Sequence, residues 1–195
     1  MPALDGIRIL DLSQYEAGPS CTQAMALLGA EVVKIERPEV GEPGRGVGGF
    51  SDDSPYFLYW NSNKRSVVID LTATEGRDIL LRLLPKYDIV VENYGPGVAR
   101  KLGLDYDTLS SIHPSLIYAS VKGFGSTGPY ADYKSFDMVA QAASGAFSVT
   151  GEADGTPMRP GPTLGDTGTG MQLGMAILAA YIQRLRTGKG QQIEI

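Results

Sequence analysis

Strand-like and helix-like segments alternate along the whole chain, and this alternation limits the possible fold more than any other feature. The strand candidates are short runs rich in isoleucine and valine, at residues 7–12, 31–36, 66–71, 88–93, 115–121 and 191–195. Continuous apolar runs of this kind are typical of parallel strands that are buried on both faces. The sequence therefore predicts an α/β fold in which a mostly parallel, Rossmann-like sheet is flanked by helices.

Helical periodicity and capping residues mark the segments between the strands. The predicted helices cover residues 20–28, which end at Gly29, and residues 74–84, 98–102, 106–112, 136–147 and 169–186. In the second of these, Ile79, Leu80, Leu83 and Leu84 are predicted to share one face. Residues 38–55 are rich in glycine, proline and aspartate, and we interpret them as a long loop.

The charge of the chain excludes some classes of partner. A net charge of −5 over 195 residues gives no basic stripe for nucleic acid, whereas the length suits one domain. The cations instead fall at strand ends and in glycine- and proline-rich connections, which suits a small anionic ligand: Lys34, Arg37, Arg45, Lys64, Arg65, Arg100, Lys101, Lys122 and Lys134.

Neither the cysteine nor the histidine content favours a metal site or a disulfide. Cys21 is the only cysteine and lies in an apolar helical run, so we expect a buried thiol. His113 is the only histidine and precedes Pro114 at a predicted helix end, where a capping or solvated role fits. The chain shows no secretory signal and no apolar run long enough for a bilayer, so a cytoplasmic protein without membrane or metal binding is expected.

Polar residues collect where the predicted strands end, which is where ligands bind in parallel α/β sheets: Asp11, Glu16, Arg37, Asp70, Asn93 and Lys122. No P-loop and no three-glycine dinucleotide fingerprint is present in the sequence. The Asn93–Gly97 segment could be a simple tight turn, or its N–H groups and the following Arg100 and Lys101 could hold a phosphate or a pantetheine amide.

One carboxylate lies in a glycine-rich turn, at Asp166 in the run GDTGTG of residues 165–170, just before the last predicted helix. Aspartate is a preferred N-cap, so Asp166 could simply cap that helix. It could also be a nucleophile that the helix end keeps ionised, with glycines that let a substrate approach and N–H groups that receive an oxyanion. The turn alone does not decide between the two roles.

The motifs together resemble the class III CoA-transferases. The similar stretches are LDGIRILD (residues 4–11), AGP (17–19), LGAEVVKIE (28–36), NKRS (63–66), VENYGPG (91–97), ASVKGF (119–124) and GDTGTGM (165–171). They follow the family's order and cover nearly the whole chain. The resemblance implies that residues 1–195 are the amino-terminal part of a large CoA-binding catalytic domain, with a small domain and a carboxyl-terminal part absent from this chain.

The same resemblance implies the chemistry and the site. Asp166 would attack the thioester of an acyl-CoA, and CoA would pass through aspartyl anhydride and aspartyl–CoA intermediates to a free carboxylic acid. The CoA substrate would lie along the strand ends, near Glu16 and Ala17 at the thioester, Arg37 and Lys101 at the phosphates or adenine, and Ile69, Asp70, Leu71 and Thr72 along the nucleotide. Asn93, Tyr94 and Gly95 would hold the pantetheine, and Lys134, Ser135, Phe136 and Asp137 would approach the reaction centre.

Two departures and one alternative accompany the resemblance. Formyl-CoA transferases have glutamine where this chain has Glu16, a carboxylate that would repel an anionic acceptor unless it is protonated or turned away, so the resemblance leaves formate and oxalate open as substrates. Thr72 replaces a lysine in the nucleotide stretch. The related α-methylacyl-CoA racemases use a histidine where this chain has Phe136, and a phenyl ring cannot accept a proton. An inactive CoA-binding fragment remains a further alternative. Family members form interlocked homodimers, which is the expectation for the full-length protein.

Overall fold

The described chain, residues 1–50 and 53–195 of a computed structural model, contains one sheet of six parallel strands. Its strands are β1 (Arg8–Asp11), β2 (Glu31–Glu36), β3 (Arg65–Val68), β4 (Ile89–Glu92), β5 (Ile117–Ser120) and β6 (Gln191–Glu194). Their order is β3-β2-β1-β4-β5-β6, and each neighbouring pair is parallel. The predicted α/β class and parallel sheet are confirmed.

The strand order changes direction between β1 and β4. From β1 the chain proceeds outward through β2 to β3, then returns to the other side of β1 for β4, β5 and β6. In doubly wound sheets, a crevice opens at this switch point beyond the carboxyl ends of the two strands. The segments after β1 and β4 are therefore placed to form a ligand site.

Seven α-helices are described: α1 (Ala17–Leu27), α2 (Pro55–Trp60), α3 (Thr74–Leu83), α4 (Val98–Leu102), α5 (Tyr106–Ile112), α6 (Asp137–Ala143) and α7 (Thr169–Thr187). Both α4 and α5 have the predicted bounds, and α7 extends one residue past the prediction. Single turns of 3-10 helix cover Pro43–Gly46, Leu84–Lys86 and Ala146–Val149, and a π-helical turn, Leu164–Gly168, leads into α7.

The helix α2 was missed because residues up to Pro55 were predicted to be loop. Its start carries a recognisable signal, since the Ser54 hydroxyl accepts the N–H of Phe57 at 3.0 Å and Pro55 occupies the first helical position. The loop prediction was also wrong at Pro43–Gly46, which is 3-10 helix. Ser51 and Asp52, in the same predicted loop, lie outside the described residues.

Three further predictions differ from the structure at their edges. The strand predicted at residues 66–71 is β3, Arg65–Val68, an edge strand whose residues are all exposed. Ile79 was wrongly placed on the buried face of α3, where Leu80 is fully buried and Ile79 is exposed. The helix predicted at residues 136–147 stops at Ala143, because the chain turns at Gly145 with φ +85°.

Two apolar layers cover the two faces of the sheet, as the alternation of side chains along each strand requires. On one face, Ile9 and its neighbours pack against α1 and α7, and Cys21 is buried there as predicted. On the other, Leu10 packs with Leu80 of α3 and Leu109 of α5. Within the described ranges, no helix combines the length and the apolar character that crossing a membrane requires.

The helices α1 and α7 approach each other at Gly170. A Cβ atom at this glycine would lie 2.1 Å from Ser20 Oγ and 2.6 Å from the Ala17 carbonyl oxygen. Any side chain there would push the helices apart, so glycine allows the start of α7 to lie against the start of α1. The turn that carries Asp166 is thereby held beside Glu16.

Candidate active site

The segment after β1 is folded back by Asn93, which follows β4. The backbone N–H of Gln14 donates to Asn93 Oδ1 at 2.7 Å, and Asn93 Nδ2 donates to the Gln14 carbonyl at 2.7 Å. Tyr15 then adopts φ +62°, and its N–H donates to Glu42 Oε1 at 2.6 Å. This arrangement places Glu16 at the start of α1, with only 4% of its surface exposed.

Asp166 lies in the π-helical turn and is not the N-cap of α7. Gly168 occupies that cap position and has helical dihedral angles. The N–H groups of Asp166 and Thr167 both donate to the Thr163 carbonyl, at 3.2 and 2.9 Å. These two bonds anchor the start of the π-helical turn Leu164–Gly168 to Thr163, and π-helical turns are frequent at functional sites. The capping role left open by the sequence is therefore excluded by the geometry.

Glu16 and Asp137 hold the segment that carries Asp166 from two sides. The Thr163 hydroxyl donates to Glu16 Oε1, while the Gly165 N–H donates to Asp137 Oδ1 at 2.9 Å. Asp137 is buried and also accepts both contacts from Gln141 Nε2 at 2.8 Å. These side chains fix the turn by its backbone and by a hydroxyl.

The carboxylate of Asp166 differs from its neighbours because it accepts no hydrogen bond from any residue in the described ranges. Burial raises its pKa most, the charges of Glu16 and Asp137 raise it further, and the result is a pKa of about 6. The sequence had suggested a carboxylate kept ionised by a helix end. The structure shows a carboxylate whose charge is made less favourable by its surroundings, although it is still mostly ionised at neutral pH.

Two aromatic side chains border the same region. The Tyr15 and Phe136 rings meet edge to face, with centroids 5.6 Å apart, and Phe136 is 63% exposed. Tyr56, on α2, lies close to Glu16, and its pKa is raised by burial and by the charges of Glu16 and Asp166. The Tyr56 hydroxyl therefore stays protonated and available as a donor.

Five of the nine cations expected to serve an anionic ligand are instead paired with carboxylates of the chain. Lys34 and Lys64 both contact Asp11 within the core, and Lys122 is paired with Glu92 at 2.8 Å. Arg45 pairs with Glu36 and Asp53, and Arg65 with Glu31. Lys34, Lys64, Lys122 and Arg45 thus neutralise buried carboxylates of the chain, whereas Arg65 and Glu31 form a pair at the surface.

The other four, Arg37, Arg100, Lys101 and Lys134, form no ion pair with a carboxylate of residues 1–50 and 53–195. All four are exposed. The stem of Lys134 reaches Gly95, where an added Cβ would lie 3.9 Å from Lys134 Cε. These cations remain available to phosphate groups.

In the stretch from Ile69 to Thr72, only some of the side chains are accessible to a ligand. Ile69 and Leu71 are buried in the second apolar layer. Asp70 accepts the Thr72 hydroxyl at 2.6 Å and the Thr72 N–H at 2.9 Å, and these hydrogen bonds lower the pKa of Asp70. In the part of the chain described, no hydrogen bond or ion pair joins this stretch to the turn of Asp166.

The remaining predicted site residues border the crevice. Ala17 is buried at the start of α1, and the N–H of Tyr94 donates to Glu92 Oε2 at 2.7 Å. Ser135 crosses over Gly123, where an added Cβ would lie 2.3 Å from Ser135 Cβ. Among the residues that the structure describes, no group of three or more His, Cys, Asp and Glu side chains could hold a metal ion.

Four residues at the site were missed by sequence reasoning: Tyr56, Gln141, Arg159 and Thr163. Tyr56 could have been found from the helix-start signal at Ser54 and Pro55. Gln141 could have been found as well, since it lies four positions after Asp137 on one helix. Arg159 and Thr163 carry no local signal, because their partners Asp137 and Glu16 lie 22 and 147 positions away.

Comparison with known proteins shows the family. The model of CoA-transferase family III matches residues 4–195. Proteins called formyl-CoA:oxalate CoA-transferase, from Bradyrhizobium sp. (strain ORS 278) and Streptomyces avermitilis, are each 45% identical; the match covers 98% and 99% of this chain and 45% and 47% of theirs. The chain thus spans about half the length of the curated relatives it matches.

Solved structures agree. A CAIB/BAIF family protein from Brucella suis superposes with a TM-score of 0.93 at 41% identity, covering 98% of this chain and 52% of that one. A hypothetical protein from Mycobacterium tuberculosis superposes with a TM-score of 0.92 at 37% identity, covering 100% and 54%. From the family match, the relatives and the shared fold together, this chain belongs to CoA-transferase family III.

Proposed function

We propose that the full-length protein transfers CoA from an acyl-CoA thioester to a free carboxylic acid, with Asp166 as the nucleophile. The observation that carries this proposal is the contrast among the carboxylates of the site. Glu16 and Asp137 are occupied by donors of the protein, whereas Asp166, in the described residues, accepts no hydrogen bond. An ionised carboxylate without protein partners is free to attack a carbonyl carbon.

The proposed reaction balances without an external acid or base. An Asp166 oxygen attacks the thioester carbonyl carbon, the C–S bond breaks, and the CoA thiolate leaves with the electron pair. The thiolate attacks the Asp166 carbonyl of the resulting anhydride and expels the donor carboxylate. The acceptor carboxylate then displaces the thiolate from the aspartyl–CoA thioester, and the thiolate attacks the acceptor's acyl carbon, which releases the new acyl-CoA and regenerates Asp166.

The surroundings of Asp166 support these steps. A pKa of about 6 leaves the carboxylate mostly ionised at neutral pH, and partial burial makes it a stronger nucleophile than a fully hydrated one. Phe136 borders the site without a group that can accept a proton, which argues against racemisation by a histidine–aspartate pair. The unpaired cations Arg37, Arg100, Lys101 and Lys134 would bind the phosphates of CoA.

Replacing Asp166 with alanine tests the proposal. Transfer by the full-length Asp166→Ala variant should fall below detection, while CoA binding measured by calorimetry stays within about threefold. With an acyl-CoA and hydroxylamine, the unchanged protein should gain a hydroxamate at Asp166 that peptide mass spectrometry locates. Retained turnover in the variant would exclude Asp166 as the nucleophile.

The same trapping experiment separates the alternatives. Exchange of the α-proton of the acyl group with solvent deuterium, without trapping, would indicate a racemase. Tight CoA binding with neither reaction would indicate a binding module.

We further propose that this chain is the amino-terminal part of the large CoA-binding domain, and that the full-length protein is a cytoplasmic interlocked homodimer. Light scattering and native mass spectrometry can test whether it is a dimer.

A further inference from the structure

Glu16 is a buried carboxylate that contacts the turn carrying Asp166. One of its oxygens accepts from the Thr163 hydroxyl, and the carbonyl of Thr163 accepts the Asp166 N–H. Tyr56 lies close enough to Glu16 for the charge of that carboxylate to raise the pKa of the tyrosine. The hydrogen bond from Thr163 and the burial of Glu16 hold this carboxylate beside the turn of Asp166, where its charge raises the pKa of Asp166.

The charges around Asp166 do not cancel that of Glu16. Asp137 is a second carboxylate at the turn, and the one cation that contacts it, Arg159 at 3.5 Å, is shared with no other carboxylate of the described chain. Glu42 is a third carboxylate, packed behind Tyr15. Lys134 extends toward Gly95, where the pantetheine is expected. Among the described residues, the side chains around the turn of Asp166 therefore carry an excess of negative charge.

We propose that Glu16 determines acceptor specificity: it makes the pocket take acids with a single carboxylate and reject short acids with a second one. The inference rests on the proposed function. When the acceptor arrives, Asp166 is bound to CoA as a thioester and carries no charge. One carboxylate of the acceptor can therefore approach the reaction centre. A second carboxylate on a short acid has to lie near Glu16, because Glu16 contacts the turn of Asp166 and its charge already acts on that carboxylate. Like charges repel strongly where burial lowers the dielectric constant.

Oxalate and its monoamide oxamate provide a matched pair of acceptors, because they have nearly the same shape and differ by one charge. For the full-length protein, kcat/KM for oxamate should exceed that for oxalate by about tenfold or more. This factor corresponds to the repulsion between Glu16 and the second carboxylate of oxalate at an intermediate dielectric constant. In Glu16→Gln the ratio should fall by at least about tenfold, since the amide keeps the size and still accepts from Thr163. Malonate and malonamate repeat the comparison with a longer acid.

Asp78→Asn is the control, since it removes one carboxylate from the exposed surface of α3 and should leave the ratio unchanged. Release of CoA thiolate in a single turnover with acyl-CoA, in the absence of acceptor, reports on the first half of the reaction. If thiolate is released but Glu16→Gln has the same acceptor ratio, or the unchanged protein uses oxalate as well as oxamate, the inference about Glu16 is wrong. If no thiolate is released by any form, the proposed function itself fails.

Discussion

At the scale of single residues, the site is a group of carboxylates in different environments. Asp137 accepts hydrogen bonds from a backbone N–H and a side-chain amide, Glu16 accepts one from the Thr163 hydroxyl, and Asp166 has no protein donor within residues 1–50 and 53–195. Differences of this kind can give separate roles to residues with the same functional group. Asp137 and Glu16 hold the turn, and this difference is what supports the proposal that Asp166 is the nucleophile.

The pKa of Asp166 predicts how the first chemical step depends on pH. The reactive form is the deprotonated one, so the rate of thiolate release should rise with pH, reach half its maximum near pH 6, and level off at about one to two pH units above that. In Glu16→Gln the midpoint should move to lower pH, because one of the charges that raise the pKa is gone. Single-turnover thiolate release between about pH 4 and about pH 8, about two units on either side of the midpoint, measures both.

A rate that falls as the pH rises, or a midpoint at the ordinary value of an exposed aspartate, would contradict this environment for Asp166. The shift in Glu16→Gln also separates an electrostatic role of Glu16 from a purely structural one, since a loosened turn would lower the rate at every pH without moving the midpoint.

At the scale of secondary-structure elements, the contact between α1 and α7 positions the nucleophile. We expect Gly170→Ala to lower the free energy of unfolding by about 1–3 kcal/mol, because the new methyl group would overlap Ser20 Oγ and the Ala17 carbonyl. The displaced start of α7 should also slow acyl transfer to Asp166 more than it weakens CoA binding. Urea unfolding and single-turnover kinetics on the full-length protein measure these two effects.

Gly168→Ala is the matched control for the stability measurement. It lies two residues away in the same segment, has helical dihedral angles, and an added Cβ would find no atom within 4 Å. It should leave stability unchanged or raise it by about 0.5–1 kcal/mol. Equal losses in the two variants would show that the contact at Gly170 is not the cause.

The elements also show how far sequence patterns reach. β2, α4 and α5 have the predicted bounds because their apolar spacing and end signals are local. Residues 69–71 were assigned to a strand because they continue an apolar run, yet β3 ends at Val68. Their burial comes from contacts with the second apolar layer, which local periodicity does not distinguish from pairing in a sheet.

At the scale of the whole molecule, a buried ion cluster supports the switch point. Asp11, at the end of β1, is fully buried and contacts Lys64 at 3.0 Å and Lys34 at 3.6 Å. Burial alone would raise the pKa of Asp11, but the two lysines and the hydroxyls of Ser13 and Thr22 outweigh burial and lower it. Burial lowers the pKa of Lys64 to about 8, even though Asp11 acts in the opposite direction.

Removing the single anion of this cluster should be costly. Asp11→Asn would leave two buried ammonium groups without a counterion, and we expect the free energy of unfolding at pH 7 to fall by about 3–5 kcal/mol. Asp5→Asn is the control. It changes an exposed aspartate shortly before Asp11 in the sequence and should change the free energy of unfolding by less than about 0.5 kcal/mol. Urea unfolding monitored by circular dichroism gives both values, and a loss below about 1 kcal/mol in Asp11→Asn would contradict the role of the cluster.

The sequence by itself determined the α/β class and the parallel sheet, and it predicted the turn around Asp166 as the candidate site. These follow from local apolar spacing, glycine placement and motif order, which do not depend on distant partners. The resemblance to class III CoA-transferases, drawn from the same motifs, is confirmed by the family match over residues 4–195.

Only the tertiary structure decided which charges are free to act. Lys34 and Lys64 pair with Asp11 and Lys122 with Glu92, whereas Asp166 is left without a protein donor in the described chain. Whether a charged side chain meets a ligand or a partner of its own chain depends on distances between residues far apart in sequence. The pairing of β1 with β2 and of β4 with β5 sets the distances of these ion pairs, and the packing of α7 on α1 through Gly170 sets the position of the turn of Asp166. No local pattern encodes them.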